Sequence, residues 1–367
     1  MSIGTPWFET AFTKLLGIRY PIVQGAFGGG LSSVRLVAEV SNSGGLGSFG
    51  FQGMSPEQIR TTISEIRDLT DKPFAANLWV STEDAFAESI SEAQFKEALA
   101  TLLPFYEELE IEAPRQLHSN WPSFEEQAKV ILELKPPVFS FLFGIPSADF
   151  LAECRARSIF TIGTATTVEE SIELDRAGVD CIVATGSDAG GHRASFIKSA
   201  EASLTGTFSL VPQVVDRVSA PVIAAGGIAD GRGVGAALML GASGVQIGTA
   251  FLACKESNAT QQHKDKLLNG ETELTTLTRG FSGRLARGYP NTLLSKINLS
   301  DAAILPYPLQ NQLVSGLRGK AIKTGRTDLI STWAGQANGL VKFETACELF
   351  ENLVTSTDSV FEFWKGK

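Results

Sequence analysis

His192 is the residue of this chain best suited by position to move a proton. It directly follows Gly190 and Gly191 and is one of only three histidines in 367 residues. Adjacent glycines let the backbone come close to a bound ligand, and an imidazole changes its charge near neutral pH. We therefore expect His192 to be a general base beside a ligand; a solvated or capping role is the alternative. Asp188 is expected either to orient the imidazole or to cap the following turn.

Two glycine-rich segments carry the donors that a phosphate group needs. Residues 225–231 read Ala-Gly-Gly-Ile-Ala-Asp-Gly, and residues 246–249 read Gln-Ile-Gly-Thr. Backbone N–H groups in turns of this kind often bind phosphate oxygens. Gly227, Gly248 and the Thr249 hydroxyl are the predicted donors or close-approach positions. Glycine turns that only connect strands to helices are the alternative.

Three uncharged amides, Gln24, Asn77 and Gln246, stand at the ends of apolar segments. Amides pair with the alternating donors and acceptors along the edge of a heteroaromatic ring. Asn77 taken alone fits equally well a structural hydrogen bond to a neighbouring loop. A phosphate site combined with amides around an apolar opening predicts flavin mononucleotide (FMN), which the protein would orient and tune.

Eight short apolar segments, each followed by turn residues and a helical pattern, must position these groups. They predict strands at Pro21–Gln24, Gly45–Phe49, Pro73–Val80, Pro137–Leu142, Ile159–Gly163, Val179–Ala184, Pro221–Ala225 and Gly244–Gly248. Thr167 and Glu170 have the spacing of a capping box at the start of one intervening helix. Apolar strands that alternate with helices indicate a parallel sheet covered on both faces. Eight such units predict an α/β fold, a (β/α)8 TIM barrel, whose site lies at the carboxyl ends of the strands.

Two segments are too long to be simple barrel connections. Residues 81–135 lie between the third and fourth predicted strands, and residues 255–339 follow the eighth. We expect residues 1–254 to form the FMN-binding barrel, with residues 81–135 as an insertion. Residues 255–339 are expected to form a mostly helical substrate lobe that caps the barrel mouth, and residues 340–367 a C-terminal helix that returns to the barrel.

The substrate lining is expected to come largely from these insertions. Trp79, Trp121, Phe281 and Trp333 are either pocket wall or ordinary core, and core is favoured for any single one. His118 and His263 lie among polar residues in the insertions and are assigned no role.

Composition excludes several classes of protein. With 43% hydrophobic and 19% charged residues, the chain is typical of a soluble globular protein. The net charge of −9 gives no general attraction to nucleic acid or to anionic membranes, and no apolar stretch is long enough to span a bilayer. Four scattered cysteines argue against a zinc site and indicate a reducing compartment. With no secretory signal visible, we expect a cytoplasmic protein, either a monomer or a homodimer.

Short motifs spread over most of the chain carry a family resemblance. They are residues 21–25 (PIVQG), 43–47 (SGGLG), 73–78 (PFAANL), 189–193 (AGGHR), 225–232 (AGGIADGR), 281–288 (FSGRLARG) and 334–336 (AGQ). Their order and spacing resemble the nitronate monooxygenases, formerly called 2-nitropropane dioxygenases, and are most similar to class I of that family.

The resemblance implies an FMN enzyme that oxidises alkyl nitronates, and neutral nitroalkanes, with O2 to a carbonyl compound and nitrite. It implies that His192 is the base that deprotonates neutral nitroalkanes. Together with the strand-end positions, it gives these predicted cofactor contacts: Gln24, Gly25, Asn77, Thr185, Gly190, Gly226, Gly227, Gln246, Ile247, Gly248, Thr249 and Gln336.

Two positions depart from the family pattern. Thr185 stands where class I members usually carry glutamine, and Leu285 stands where they usually carry proline. A hydroxyl cannot make the bidentate contact of an amide, so the flavin contact at Thr185 is expected to differ from that of the family.

Other functions remain alternatives. An FMN-dependent reductase that resembles enoyl-acyl-carrier-protein reductase and uses NAD(P)H belongs to the same barrel superfamily and can carry a Gly-Gly-His loop. A flavin-free isomerase or aldolase would bind a phosphorylated substrate in the same turns, but such enzymes often use a lysine or paired carboxylates at strand ends. No predicted strand ends in lysine. A non-catalytic flavin-binding protein is the third alternative.

Overall fold

The structure, a computed structural model, describes residues 6–81, 84, 90–117, 121–269, 274–297 and 304–365. The strands in these residues are β1 (Ile22–Gln24), β2 (Gly47–Gly50), β3 (Phe74–Trp79), β4 (Val138–Leu142), β5 (Phe160–Ala165), β6 (Cys181–Thr185), β7 (Gly191–His192), β8 (Val222–Ala225), β9 (Gly244–Ile247), β10 (Thr276–Thr278) and β11 (Ala286–Gly288). The α-helices are α1 (Ala11–Leu16), α2 (Val34–Asn42), α3 (Pro56–Leu69), α4 (Glu92–Glu108), α5 (Phe124–Leu134), α6 (Ala148–Ala156), α7 (Val168–Arg176), α8 (Thr207–Val215), α9 (Gly231–Met239), α10 (Thr249–Leu252), α11 (Gln261–Leu268), α12 (Thr292–Ile297), α13 (Leu309–Thr324) and α14 (Ala346–Lys365).

Eight parallel strands form one sheet in the order β1-β9-β8-β6-β5-β4-β3-β2. The two ends of this order meet at Leu46, just before β2. The Leu46 N–H donates to the Ile22 carbonyl and the Gln24 N–H donates to the Leu46 carbonyl, both at 2.9 Å. The sheet therefore closes into a barrel. The predicted (β/α)8 fold is confirmed, and each predicted strand is present with ends within two residues of those expected.

Apolar side chains fill the barrel interior. Phe12 of α1 joins them beside Gly244, the first residue of β9, and so packs at the amino end of the barrel. Leu46, just before β2, also contributes, and the strands supply Val23, Ala75, Val138, Ile162, Val183, Ile223 and Ala225. Because the interior is packed, a ligand has room only beyond the strand ends.

A separate hydrophobic cluster lies outside the barrel and unites the two insertions. Side chains of α4, including Leu102 and Phe105, pack with Leu313 and Leu317 of α13. The Tyr106 hydroxyl donates to the Leu313 carbonyl at 2.6 Å, and burial raises the pKa of Tyr106 to about 12, which keeps this donor protonated. We call this cluster of α4, α12 and α13 the cap.

The other helix of the first insertion, α5, lies against the barrel. The Gln127 amide donates to the Phe51 and Met54 carbonyls at 3.1 and 2.8 Å. The last helix, α14, packs on α9, and the Ser356 hydroxyl accepts from the Gly231 N–H at 3.1 Å. The predicted domain bounds at residues 254 and 339 stay a prediction. None of the described helices is both long enough and apolar enough to cross a membrane.

A small antiparallel sheet, β10-β11-β7, joins the barrel to the second insertion. His192 pairs with Ala286 and Gly191 pairs with Arg287, and the Arg193 N–H donates to the Leu285 carbonyl at 2.8 Å. Strands of two and three residues carry no periodic signal, which is why the sequence did not predict this sheet. It fixes the loop after β6 against the segment 281–288.

Glu170 is a fully buried carboxylate that braces the loop after β7. Its Oε2 accepts from the N–H and hydroxyl of Thr166 at 2.6 and 2.7 Å. Its Oε1 accepts from the N–H groups of Phe196 and Ile197 at 2.6 and 3.1 Å. Thr167 caps α7 as predicted, but the predicted capping box is wrong, because the Glu170 carboxylate bonds elsewhere. Glu170 therefore ties the loop after β7 to the start of α7.

Replacing Glu170 by glutamine should lower the free energy of unfolding by about 1–3 kcal/mol. An amide has one acceptor oxygen, so its NH2 group would face N–H donors that the carboxylate now satisfies. Urea denaturation measures the change. Glu169→Gln is the matched control, since Glu169 pairs with Lys198 at the surface and its loss should cost little. Equal losses of stability in the two variants would contradict this role for Glu170.

Candidate functional site

A cavity of about 420 Å³ opens at the carboxyl ends of the barrel strands. This volume falls within the range typical of small-molecule sites. On the barrel side, polar residues from several strands line it, among them Asn77, Ser140, Thr164, Thr185 and Gln246. The opposite wall is aromatic and includes Trp79, at the end of β3, together with Trp121, Phe281, Tyr307 and Trp333. A ligand here would lie between polar strand ends and an apolar roof.

Most of the predicted site residues line this one cavity. They are His192, Gly25, Asn77, Thr185, Gly190, Gly226, Gly227, Gln246, Gly248 and Thr249. The four aromatic residues predicted as either core or wall, Trp79, Trp121, Phe281 and Trp333, line it as well. Residues distant in the sequence are therefore brought to a single opening.

Three predicted contacts are not among the described lining residues. Gln24 is fully buried, and its Oε1 accepts from the Ser48 N–H at 2.9 Å, which ties β1 to β2. Ile247 is fully buried in the core between the barrel and its helices. Gln336 uses its backbone N–H to donate to the Asp188 carbonyl at 2.9 Å. The structure gives each of the three a position outside the cavity lining.

The turns after β8 and β9 present backbone donors to the cavity. Gly226 and Gly227 have φ of 107° and 69°, a region that side chains rarely adopt. Among the described residues, the N–H groups of Gly227, Gly248 and Thr249 have no hydrogen-bond acceptor. The Thr249 hydroxyl oxygen accepts from the Gly335 N–H at 2.9 Å, which leaves its O–H to donate. These four donors suit a phosphate group.

The loop that carries His192 packs closely on residues 334–336. A Cβ placed on Gly190 would lie 2.6 Å from the Ala334 carbonyl carbon and from the Gly335 nitrogen. Only glycine fits at this crossing. Nearby, the Asp188 carboxylate accepts from the N–H of Thr207, the first residue of α8, at 2.6 Å.

Asn77 and Gln246 present amide groups to the cavity. The Asn77 Nδ2 donates to the Ser140 hydroxyl at 2.9 Å, so the expected structural bond is present. Within the described part of the chain its Oδ1, the Gln246 amide and the Thr185 hydroxyl have no partner. These atoms are available to the polar edge of a ring.

His192 lies between the barrel and the cap. Its Nε2 is 2.8 Å from the Ser282 hydroxyl oxygen, and its ring centroid is 5.1 Å from that of Trp79 and 5.5 Å from that of Trp333. Burial, with a smaller contribution from the charge of Arg284, lowers the pKa of His192 to about 3. The imidazole is therefore neutral at physiological pH and has a lone pair that can accept a proton.

Arg284 supplies the positive charge near His192. Its Nε lies 2.7 Å from Asp84 Oδ1, and its Nη1 donates to the Ser81 carbonyl at 3.0 Å. Its guanidinium carbon lies 4.1 Å from the centre of the Phe143 ring and 4.6 Å from that of Tyr307. The side chain therefore anchors the aromatic wall through an ion pair and cation–π contacts.

Arg193, which follows His192, is buried and holds the end of β6. Its guanidinium donates to the carbonyls of Thr185, Gly186 and Ser203 at 3.2, 2.6 and 2.8 Å. Burial lowers the pKa of Arg193 to about 10, so the side chain stays charged. It fixes the backbone from which the His192 loop departs.

Sequence reasoning missed several residues of this site, above all Ser282, Tyr307, Arg318 and His263. His263 is buried, and its Nε2 lies 2.9 Å from the Trp333 carbonyl oxygen. Burial lowers the pKa of His263 to about 4. The helical spacing of His263 and Leu267 was a usable signal for a buried face, but the polar neighbours in the sequence hid it.

Comparison with known proteins agrees with this geometry. The chain matches the family model of nitronate monooxygenase over residues 9–356. A probable nitronate monooxygenase of Staphylococcus aureus (strain Newman) is 39% identical over 358 residues, covering 97% of this chain and 99% of that protein. The solved structure of nitroalkane oxidase from Streptomyces ansochromogenes has a TM-score of 0.88 at 32% identity, covering 97% of this chain and 100% of that one. FabK from Thermotoga maritima has a TM-score of 0.76 at 29% identity, covering 98% and 99%. This chain is an oxidoreductase and belongs to the nitronate monooxygenase family.

Proposed function

We propose that this enzyme uses FMN to oxidise alkyl nitronates, and neutral nitroalkanes, with O2 to a carbonyl compound and nitrite. The observation that carries the proposal is a neutral His192 in one cavity with the unpartnered N–H groups of Gly227, Gly248 and Thr249. Family membership and the likeness to a nitroalkane oxidase support it. We further expect a cytoplasmic monomer or homodimer that acts on a small molecule, without nucleic acid or membrane as partner.

The residues present fit FMN. The N–H groups of Gly227, Gly248 and Thr249 would hold its phosphate, and the amides of Asn77 and Gln246 would hold the polar edge of its ring. When bound, FMN would supply the redox chemistry, taking electrons from the nitronate and returning them to O2.

The chain itself supplies the proton chemistry. His192 would remove the proton from the carbon beside the nitro group of a neutral nitroalkane. Ser282, 2.8 Å from Nε2, fixes the orientation of the imidazole. The rings of Trp79 and Trp333 pack beside the imidazole, and burial holds the base neutral. A nitronate arrives already deprotonated and needs no base.

Replacing Gly227 by alanine should weaken FMN binding by about tenfold, because a Cβ at φ 69° strains the turn. Titration of FMN into the apoprotein, followed by the quenching of flavin fluorescence, measures the dissociation constant. Gly17→Ala is the matched control: Gly17 has φ 73° and lies at the end of α1, away from the cavity. Equal FMN affinity in Gly227→Ala and in the wild type would contradict the phosphate assignment, and wild-type protein that binds no FMN would contradict the cofactor.

Replacing His192 by asparagine should reduce turnover of neutral nitroalkanes by about 10²- to 10⁴-fold and leave oxidation of preformed nitronates largely intact. Nitrite release and O2 uptake with both forms of one compound measure this. His263→Asn, a histidine of the same cavity bonded to the Trp333 carbonyl, should not separate the two forms.

The pH profile gives a second readout for His192. Because its pKa is lowered to about 3, the base form persists through the range in which an ordinary histidine, with a pKa of about 6.5, becomes protonated. Turnover of neutral nitroalkanes should therefore show no fall near that pH. In the substitution test described above, unchanged turnover of the neutral nitroalkane by His192→Asn would refute the assignment of His192 as the base.

The alternative is an FMN-dependent reductase that uses NAD(P)H, and the likeness to FabK is the observation that favours testing it. NADH added to the yellow protein without O2 should leave the flavin absorbance nearly unchanged, whereas a nitronate should bleach it. The absorbance at the flavin maximum, followed in a stopped-flow instrument, measures both. Rapid bleaching by NADH alone would favour the reductase.

A further inference from the structure

Residues 333–338 follow the cap helix α13 in the chain and contribute to the lining of the cavity; we call this segment the strap. The backbone N–H of Gly335 donates to the Thr249 hydroxyl at 2.9 Å. The N–H of Gln336 donates to the Asp188 carbonyl at 2.9 Å. These two bonds tie the strap to the turn after β9 and to the loop after β6, so one short segment joins two of the turns around the cavity.

The strap also packs on the loop that carries His192. A Cβ added to Gly335 would lie 2.8 Å from the Asp188 carbonyl oxygen and 3.0 Å from the Gly190 nitrogen. The backbones of the strap and the loop therefore meet with no side chain between them. The ring of Trp333, at the start of the strap, lies 5.5 Å from the imidazole of His192, centroid to centroid. Because a close-packed contact transmits displacement, movement of the strap would move the loop.

The two parts of the strap are fixed in different ways. At its start, the His263 Nε2 lies 2.9 Å from the Trp333 carbonyl oxygen, and since a carbonyl only accepts, the imidazole donates. Trp333 also forms a β-bridge with Gly288. Neither contact involves the donors proposed for the cofactor phosphate. Gly335, by contrast, is bonded to Thr249, which supplies two of those donors, so the middle of the strap is the part that a ligand can influence.

The single hydroxyl hydrogen of Thr249 connects the strap to the phosphate site. Because the hydroxyl oxygen accepts from Gly335, its hydrogen is left to donate elsewhere, and none of the described residues accepts it. A phosphate oxygen would accept it. A hydroxyl that donates to an anion becomes a better acceptor itself. The bond from Gly335 to Thr249 should therefore be stronger with phosphate bound than without it.

We propose that Thr249 is a positioning residue that couples the phosphate of the cofactor to the loop of His192 through the strap. The phosphate fixes the Thr249 hydroxyl, the hydroxyl fixes Gly335, and Gly335 keeps Gly190 in place beside the base. The inference rests on the FMN binding of the proposed function and goes beyond it, because it gives the phosphate a part in ordering the loop of the base. Riboflavin, which has the ring but lacks the phosphate, would bind and leave the strap loose.

Hydrogen exchange of the backbone amides, followed by mass spectrometry, tests this coupling. The ligand-free protein is compared with protein loaded with FMN or with riboflavin, each at a concentration that saturates the quenching of its fluorescence. FMN should slow exchange in residues 334–336 and 190–193 by about tenfold to a hundredfold, because opening the strap would also break a hydrogen bond to an anion. Riboflavin should slow exchange in these two segments much less.

Thr249→Val removes the hydroxyl, keeps the shape of the side chain and keeps the backbone N–H for the phosphate. In this variant FMN and riboflavin should slow exchange of the strap equally, whereas Thr249→Ser, which retains a hydroxyl, should keep the wild-type difference. Thr355→Val is the matched control, because Thr355 is exposed on α14 and bonds the Glu351 carbonyl of its own helix. Residual binding of FMN to Thr249→Val reports that the variant is folded.

Equal exchange of the strap with FMN and with riboflavin in the wild type would overturn the coupling, and so would an effect of the phosphate that persists in Thr249→Val. If FMN slows exchange through Thr249 but no nitronate is oxidised, the coupling stands and the proposed function fails. If nitronates are oxidised but the strap responds equally to both flavins, the function stands and the coupling is wrong.

Inorganic phosphate alone extends the test to a protein that binds neither flavin. At a saturating concentration, it should slow exchange of residues 334–336 in the wild type and not in Thr249→Val. No effect of phosphate on the wild-type strap, or the same effect in both proteins, would contradict the role of the Thr249 hydroxyl.

Discussion

The pairing of β7 with β11 is the interaction on which the rest of the site depends. Gly191 and His192, in the loop that follows β6, pair through their backbones with Arg287 and Ala286 of β11. β11 begins some forty residues after the end of β9. This pairing converts a loop into an edge of a sheet. It brings His192 to Ser282 and to the charge of Arg284, both of which lie in the segment 281–288. Without it, a flexible connection would carry the proposed base.

Buried positive charge is the second constraint, and it follows from the first. Arg193 also fixes the loop that pairs with β11, and its guanidinium donates to the backbone carbonyls of Gly186 and Ser203. Arg284 lies beside the aromatic wall and forms an ion pair with Asp84. Cations near His192 disfavour a second positive charge on the imidazole. Burial is the larger cause of the lowered pKa of His192, and the charge of Arg284 adds to it, so the packing that fixes the position of the base also keeps it unprotonated.

The sequence was sufficient for the barrel and for most of the cavity, since both rest on local patterns. Apolar strands end where parallel strands must meet, so Asn77, Thr185 and Gln246 could be predicted to converge. The alternation of side chains within β1 was not enough to show that Gln24 turns inward to bond the Ser48 backbone. Arg318 could not be found in this way, because the face of α13 that meets the cavity is decided by packing against α4, which is distant in the chain.

This division between local and distant determinants has a consequence for specificity. The groups proposed to hold FMN lie on the turns of the barrel, where a changed glycine alters the fold of the strand ends themselves. Asn311, Arg318 and Ile322 lie on one face of a cap helix whose opposite face carries the packing. Substitutions on that cavity face can alter the substrate without disturbing the barrel, because no barrel strand depends on them. The cavity face of α13 can therefore change while the barrel turns that are proposed to hold FMN stay the same.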